Sequence, residues 1–168
     1  ELKITIFEND ESIIPRMSQM SQKTNQFNLT TKRYTENDIR HFIDNSNSDV
    51  FAFSVSDKFG DSGITGLSII LSNGDISEVD TFLMSCRIIG RNIEYVFMDY
   101  IIQKLKEKKI NVLNAKYIKT QKNDQAIDFY DRCSFELVGK NDKVRNYILD
   151  INNYTLKQIN YIGVIDGK

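Results

Sequence analysis

The stretch that decides the fold runs from Thr81 to Lys108, TFLMSCRIIGRNIEYVFMDYIIQKLKEK. It opens as an apolar strand at Phe82, Leu83 and Met84, passes through Cys86 and Arg87, turns at Gly90 and continues as a helix. Ile93, Val96, Phe97, Tyr100, Ile101 and Leu105 follow the i, i+3, i+4, i+7 spacing of one apolar helix face. Between strand and helix lies Arg87-Ile88-Ile89-Gly90-Arg91-Asn92, which sets two guanidinium groups and a glycine where the helix begins. The first N–H groups of a helix have no intrahelical partner and sit at the positive end of its dipole. Such a turn is therefore a ready place to hold a phosphate.

Upstream, the chain reads as three consecutive antiparallel strands. Val50 to Val55 and Ile64 to Leu71 flank the turn Lys58-Phe59-Gly60-Asp61-Ser62-Gly63, and Ser72-Asn73-Gly74-Asp75 turns into a strand from Ile76 to Ser85. Glu78 and Asp80 alternate on that last strand and share a face, which makes them candidate bases for an acceptor nucleophile. Exposed carboxylates at a sheet edge are the plainer reading. Downstream, Val112 to Ile118 form a strand that the right-handed β-α-β rule makes parallel to Ile76–Ser85. Asn123 to Cys133 predicts another helix, and Phe135 to Val138 and Val144 to Ile151 predict two final strands.

At the other end, Leu2, Ile4 and Ile6 alternate as a first strand, and Ile13, Ile14, Met17 and Met20 predict a helix from Glu11 to Lys23 with Pro15 in its first turn. Thr24 to Tyr34 is polar with no clean period and predicts a surface loop. Thr35 caps a helix through about Asn45 that turns Ile39, Phe42 and Ile43 inward, and His41, the only histidine, falls off that face as a solvated residue. Asn152 to Lys168 shows no pattern, which leaves a domain over residues 1–151 and an unassigned extension over 152–168.

A chain of 168 residues, 40% hydrophobic, supports one domain with a full core. A net charge of −1 with interspersed signs gives no electrostatic footprint for nucleic acid. Two cysteines, Cys86 and Cys133, are too few for a disulfide framework and fit a reducing, cytoplasmic setting. No run of about 18 apolar residues argues for a membrane span. The chain begins at Glu1 rather than Met, so it is expected to be a piece cut from a longer protein.

Arg87-x-x-Gly90-x-Asn92 resembles the R/Q-x-x-G-x-G/A turn of GNAT-type acyltransferases, with Asn92 where that family has Gly or Ala. Asn123 to Phe135 resembles a second signature of the family, N-x-x-A-x-x-F-Y-x-x-x-G-F: five of its six marked positions match, with Ser134 in place of the Gly. The element order β-α-α-β-β-β-α-β-α-β-β is similar to that of the family as well. The resemblance implies an α/β domain built on a mixed sheet, whose two central parallel strands splay apart to admit a cofactor. It implies acyl-coenzyme A, or phosphopantetheine on a carrier protein, as that cofactor. Arg87, Gly90, Arg91 and Asn92 would hold its phosphates, Asn123 would orient the pantetheine arm, and a backbone N–H at Leu83 or Met84 would face the thioester oxygen. Tyr130 would protonate the departing thiolate, as a phenol that stays protonated at neutral pH can.

A narrower resemblance rests on Arg16–Thr35, Asp57–Gly63 and Phe82–Glu94, which look like the C-terminal, GNAT-like region of FkbH-type proteins. It implies a polyketide-type pathway, with an acyl carrier protein or a HAD-like domain as partner. No D-x-D-x-T/V motif of a HAD domain occurs in this chain, so glyceryl loading is not assigned to it. Two readings stand side by side: acyl transfer from a thioester, and a GNAT-shaped module that docks carrier protein or substrate without chemistry. Cys86 is read as a buried structural residue, against the alternative of a relay nucleophile activated by Arg87.

Overall fold

The computed structural model describes residues 1–167. Alternating apolar residues produce strand β1 (Leu2–Glu8), and the helical repeat that follows Asp10 produces α1 (Ile14–Lys23). Thr35 and Asp38 form a reciprocal capping box that starts α2 (Glu36–Asp44). Then come β3 (Ser48–Asp57), β4 (Gly60–Asn73), β5 (Ile76–Met84), α3 (Ile93–Glu107) and β6 (Val112–Ile118). The sheet is mixed, with strand order β7-β8-β6-β5-β4-β3-β1-β9, where β7 is Glu136–Lys140, β8 Val144–Asp150 and β9 Ile162–Asp166. The fold class is the one expected, α/β on one mixed sheet.

Helices cover both faces. Ile14, Met17 and Met20 of α1 and Ile39 of α2 bury against Val50, Ala52, Leu67, Ile69 and Leu83. On the other face Phe97 of α3 meets Phe53 edge-on at 4.7 Å between ring centres, and Phe82 lies 4.7 Å from Phe129. Among the described residues no helix is long and apolar enough to cross a membrane.

Strands β5 and β6 are parallel, as the crossover rule requires, but they pair only from Ile76↔Val112 to Val79↔Ala115. At that point the ladder between β4 and β5 skips a residue, passing from Ile70↔Val79 to Ile69↔Thr81, so Asp80 is the extra residue of a β-bulge. A bulge bends its strand and sharpens the local twist. Beyond it the two parallel strands part.

Three expectations need correction. The helix expected over Asn123–Cys133 begins instead as a tighter turn, with Ala126 N donating to Asn123 O at 3.0 Å and Ile127 N to Asp124 O at 3.2 Å; the α-helix proper, α4, is Phe129–Arg132. The run Thr24–Tyr34 is not a surface loop, because Phe27, Asn28, Leu29 and Thr30 are buried and Phe27–Asn28 form a short strand, β2, on β5. The unassigned C-terminal stretch belongs to the same sheet: β9 pairs parallel to β1, while the Tyr154 hydroxyl and Lys157 N–H donate to Asp99 at 2.5 and 2.9 Å.

Candidate active site

The parted strands would leave a wedge through the sheet, and the chain fills it with its own backbone. Phe27 stands opposite Met84 and Asn28 opposite Leu83 in antiparallel register. Leu29 N donates to Phe82 O at 3.1 Å, and Ile118 N of β6 donates to Leu29 O at 2.8 Å. In an antiparallel ladder, hydrogen-bonded pairs recur every second residue, so this register turns the Met84 N–H to the Phe27 carbonyl. Of the backbone donors expected to face a thioester, Met84 N–H therefore lies against β2, and Leu83 N–H, by the same alternation, turns to Leu67 of β4.

Asn123 is fully buried and locks this arrangement. Its Oδ1 accepts from the Tyr117 hydroxyl at 2.9 Å and Thr120 N at 2.8 Å, while its Nδ2 donates to Asn28 O and Ile118 O, both at 2.9 Å. All four bonds of the carboxamide are made within the chain, none toward a pantetheine arm. Asp80 is likewise committed: it is 4% exposed, and its carboxylate accepts from Lys32 Nζ at 2.7 Å, the Tyr34 hydroxyl at 2.5 Å and Thr81 Oγ1 at 2.9 Å. It ties down the segment that follows β2. Glu78, half-buried and opposite Asn114 in β6, makes no hydrogen bond or ion pair among the described residues.

Tyr130 is 1% exposed, packs on Phe129, Phe135 and Tyr147, and its hydroxyl has no partner among the described residues. Burial pushes its phenol well above the ordinary value, with smaller contributions from Cys133, Tyr147 and Glu78. Unpartnered buried hydroxyls are uncommon and call for an explanation. This one is a proton donor without an acceptor.

The strand-to-helix turn explains the Gly preference at its end. Asn92, the residue before α3, is in the left-handed region at φ 65°, and Gly90 is at φ 91°. Asn is the side chain that tolerates this conformation best after Gly. No backbone carbonyl among the described residues accepts from the N–H of Gly90, Arg91 or Asn92. Free donors ahead of a helix N-terminus are the kind of backbone that attracts an anion. The two guanidinium groups expected to converge there do not: Arg91 turns away to Asp57 at 3.2 Å, and Arg87 lines a different cavity. In their place Glu94, buried and with its carboxyl raised mainly by that burial, lines a cleft of about 280 Å³ with Gly90, Asn92, Gln125, Asp128 and Arg132.

A second cavity, about 460 Å³, lies on the α1 side, lined by Arg16, Lys23, Asn25, Ser85, Cys86 and Arg87 among others. The two cavities open on opposite faces of the sheet at the same end of β5, with β2 between them. Cys86 is exposed there, not buried as expected, because the chain leaves β5 at Met84 and turns its side chain out of the core; the buried cysteine is Cys133. The basic character of this cavity escaped sequence reading. Arg16, Lys23 and Arg87 come from separate elements, and only the strand-end position of Arg87 hinted at it.

Backbone comparison decides the architecture. The ribosomal-protein-S18-alanine N-acetyltransferase of Escherichia coli superposes with a TM-score of 0.67 at 12% identity, covering 88% of this chain and 94% of that one. The chain has the GNAT acetyltransferase fold. The spermidine N-acetyltransferase of Vibrio cholerae, solved in complex with CoA and spermine, gives 0.68 at 12% identity over 90% of this chain and 97% of that one. An N-acetyltransferase of Staphylococcus aureus gives 0.64 at 15% over 88% and 98%. No protein-family model and no curated protein matches the chain in sequence.

Proposed function

We propose that this chain is a thioester-dependent acyltransferase that takes its donor on the α3/α4 face. The observation that carries this reading is the parting of β5 from β6 beyond Val79 and Ala115, at a bulge and beside an unpartnered buried phenol. The residues fit the phosphate end of coenzyme A: three consecutive N–H groups at Gly90–Asn92, without a backbone acceptor among the described residues, and the dipole of α3 attract anions. The arm fits only once β2 withdraws from β5. Bound there, coenzyme A would supply an activated acyl thioester. In that state Met84 N–H would be free for the acyl oxygen and Tyr130 Oη would hold a proton across the neutral range. Glu78, in the half of β5 still paired with β6 and roughly 15–20 Å along the strand from Met84, would not reach the same carbonyl as a base. The phosphopantetheine of an acyl carrier protein is the alternative donor. The stretches similar to FkbH-type proteins support a polyketide-type cytoplasmic pathway with a HAD-like partner domain.

The second reading, a docking module without chemistry, is favoured by one observation: β2 occupies the wedge. Calorimetric titration of the full chain with coenzyme A, combined with amide exchange at Leu29 and Met84, separates the two. Binding with loss of protection at both amides is expected. Absence of binding leaves the docking reading. Tyr130→Phe then tests the proton donor: it removes a hydroxyl that has no partner, so stability should hold or rise by a few tenths of a kcal/mol while turnover falls at least about ten-fold.

A further inference from the structure

The cavity between α1 and the end of β5 has a charge pattern that the fold does not require. Arg16, Lys23 and Arg87 line it, and no Asp or Glu does. None of the three is ion-paired among the described residues. Arg16 donates to the carbonyl of Ile64 at 3.2 Å and to Gln19 Oε1 at 2.7 Å, and Arg87 Nε donates to Ser85 Oγ at 3.3 Å, all neutral acceptors. The chain has 22 basic and 23 acidic side chains, so a concavity that gathers three of one sign and none of the other is a local departure from its average. The C-terminal end of α1 points here, but its dipole amounts to roughly half a negative charge against three full positive ones. Low-dielectric walls focus such a field. At about 460 Å³ the cavity is in the size range of small-molecule sites, and Asn25, Gln26 and Ser85 add neutral donors around the cations.

We infer that this cavity is the acceptor site of the proposed reaction and that it takes a small molecule bearing two or more anionic groups, phosphate or carboxylate. Arginine forks match both groups bidentately. The inference rests on the acyl-transfer reading for the word acceptor and on the charge pattern for the anion. Its position supports the assignment: Ser85 directly follows Met84, and only β2 separates the cavity from the cleft that α3 opens on the other face. A polyamine, the ligand in the Vibrio cholerae structure, would be repelled here.

The test uses the full chain at low salt, with citrate and inorganic pyrophosphate as anionic probes and spermine as the cationic one. Chemical-shift mapping should show saturable perturbation at Met20–Gln26 and Ser85–Arg87 by at least one anion and none there by spermine, and the stronger anion tells phosphate from carboxylate. Lys23→Gln/Arg87→Gln removes two exposed charges and no ion pair, so the variant should fold. Its affinity for the preferred anion should fall at least about ten-fold, with coenzyme A binding unchanged. No saturable binding of either anion, perturbation confined to Gly90–Tyr95, unchanged affinity in the double variant, or spermine binding in this cavity each overturns the inference. Loss of coenzyme A binding in the double variant also overturns it, since these cations would then serve the donor. Failure of the unsubstituted chain to bind coenzyme A is a different result: it removes the proposed reaction and with it the acceptor role. The anion site then stands or falls on the citrate and pyrophosphate titrations.

Discussion

Between Ile76 and Val79, strand β5 has β4 on one side and β6 on the other; from Phe82 to Met84 it keeps β4 and exchanges β6 for Phe27–Leu29. In the first half a ladder to a long strand, reached through a crossover helix, satisfies the backbone. In the second half a two-residue strand does so, held by one buried carboxamide, Asn123, and one buried carboxylate, Asp80. The first arrangement is cooperative with the whole sheet. The second depends on a few side chains and can open by itself, as elements that must admit ligands generally do.

The largest expected effect tests that contrast at Asn123. Asn123→Ala leaves Asn28 O, Ile118 O, Thr120 N and the Tyr117 hydroxyl without the partner that joins them, which should cost roughly 3 kcal/mol in urea denaturation. Lys116→Ala, on an exposed position of β6 beside the same wedge, should stay within about 0.5 kcal/mol. Equal losses at both positions would mean that Asn123 does not organise the plug.

Phe27→Ala sharpens the comparison by separating stability from binding. Phe27 packs on Phe82 and Phe129 at 6.3 and 5.4 Å between ring centres. A Phe in a fixed core costs about 3–5 kcal/mol when truncated; from a strand that can leave, we expect about 2 kcal/mol. Coenzyme A affinity should rise, because the binding-competent open state becomes more populated. Stability lost with no gain in affinity would make β2 a permanent part of the sheet.

The segment behind β2 should also respond to alkaline pH. The Tyr34 phenol is raised by burial first and then by the Asp80 carboxylate to which it donates. A raised folded value means that its stabilisation is complete below the unfolded phenol value near pH ~10 and is lost as pH rises beyond it. Tyr34→Phe should flatten that decline in thermal unfolding between about pH 9 and 11. An unchanged slope would remove Tyr34 as its cause.

Most of the sheet was legible in the sequence because period-2 and period-3.6 patterns report burial directly: Ile76–Ser85, Val112–Ile118 and the helix from Ile93 all stand where the pattern put them. The plug was not legible. Asn28 and Thr30 are polar residues buried by hydrogen bonds to Thr24, Asn123 and Asp80, and such burial leaves no hydrophobic period to read. The site was misjudged for a related reason. Arg87 and Arg91 are four apart across a turn rather than along a helix, so adjacency in sequence said nothing about direction, and they face Ser85 and Asp57 instead of one another. Asp80 and Glu78 looked equivalent by alternation, but the bulge at Asp80 breaks that alternation at the point where it mattered.

The smallest expected effect concerns the position where the second signature departs from its pattern. Ser134 follows α4 at φ 67°. Phe135 N donates to Tyr130 O at 3.0 Å and Ser134 N to Asp131 O at 3.1 Å, while the rings of Phe135 and Tyr130 meet at 5.0 Å. These are the two backbone bonds and the apolar contact of a Schellman helix end, which asks for Gly at the left-handed residue and an apolar residue after it. The signature's Gly-Phe pair is thus a helix terminator, and its Tyr is aimed into the core by the same contact. A left-handed L-residue costs about 1–2 kcal/mol, partly offset by the extra backbone freedom Gly has when unfolded. Ser134→Gly should therefore stabilise the chain by roughly 0.5–1 kcal/mol in urea denaturation and leave the Tyr130 environment unchanged. Asn92→Gly, also at positive φ, should gain less, because it gives up the 2.7 Å bond from Asn92 Nδ2 to the Tyr161 hydroxyl. A larger gain at Asn92 than at Ser134 would show that this bond contributes nothing and that the turn before α3 is held by its backbone alone.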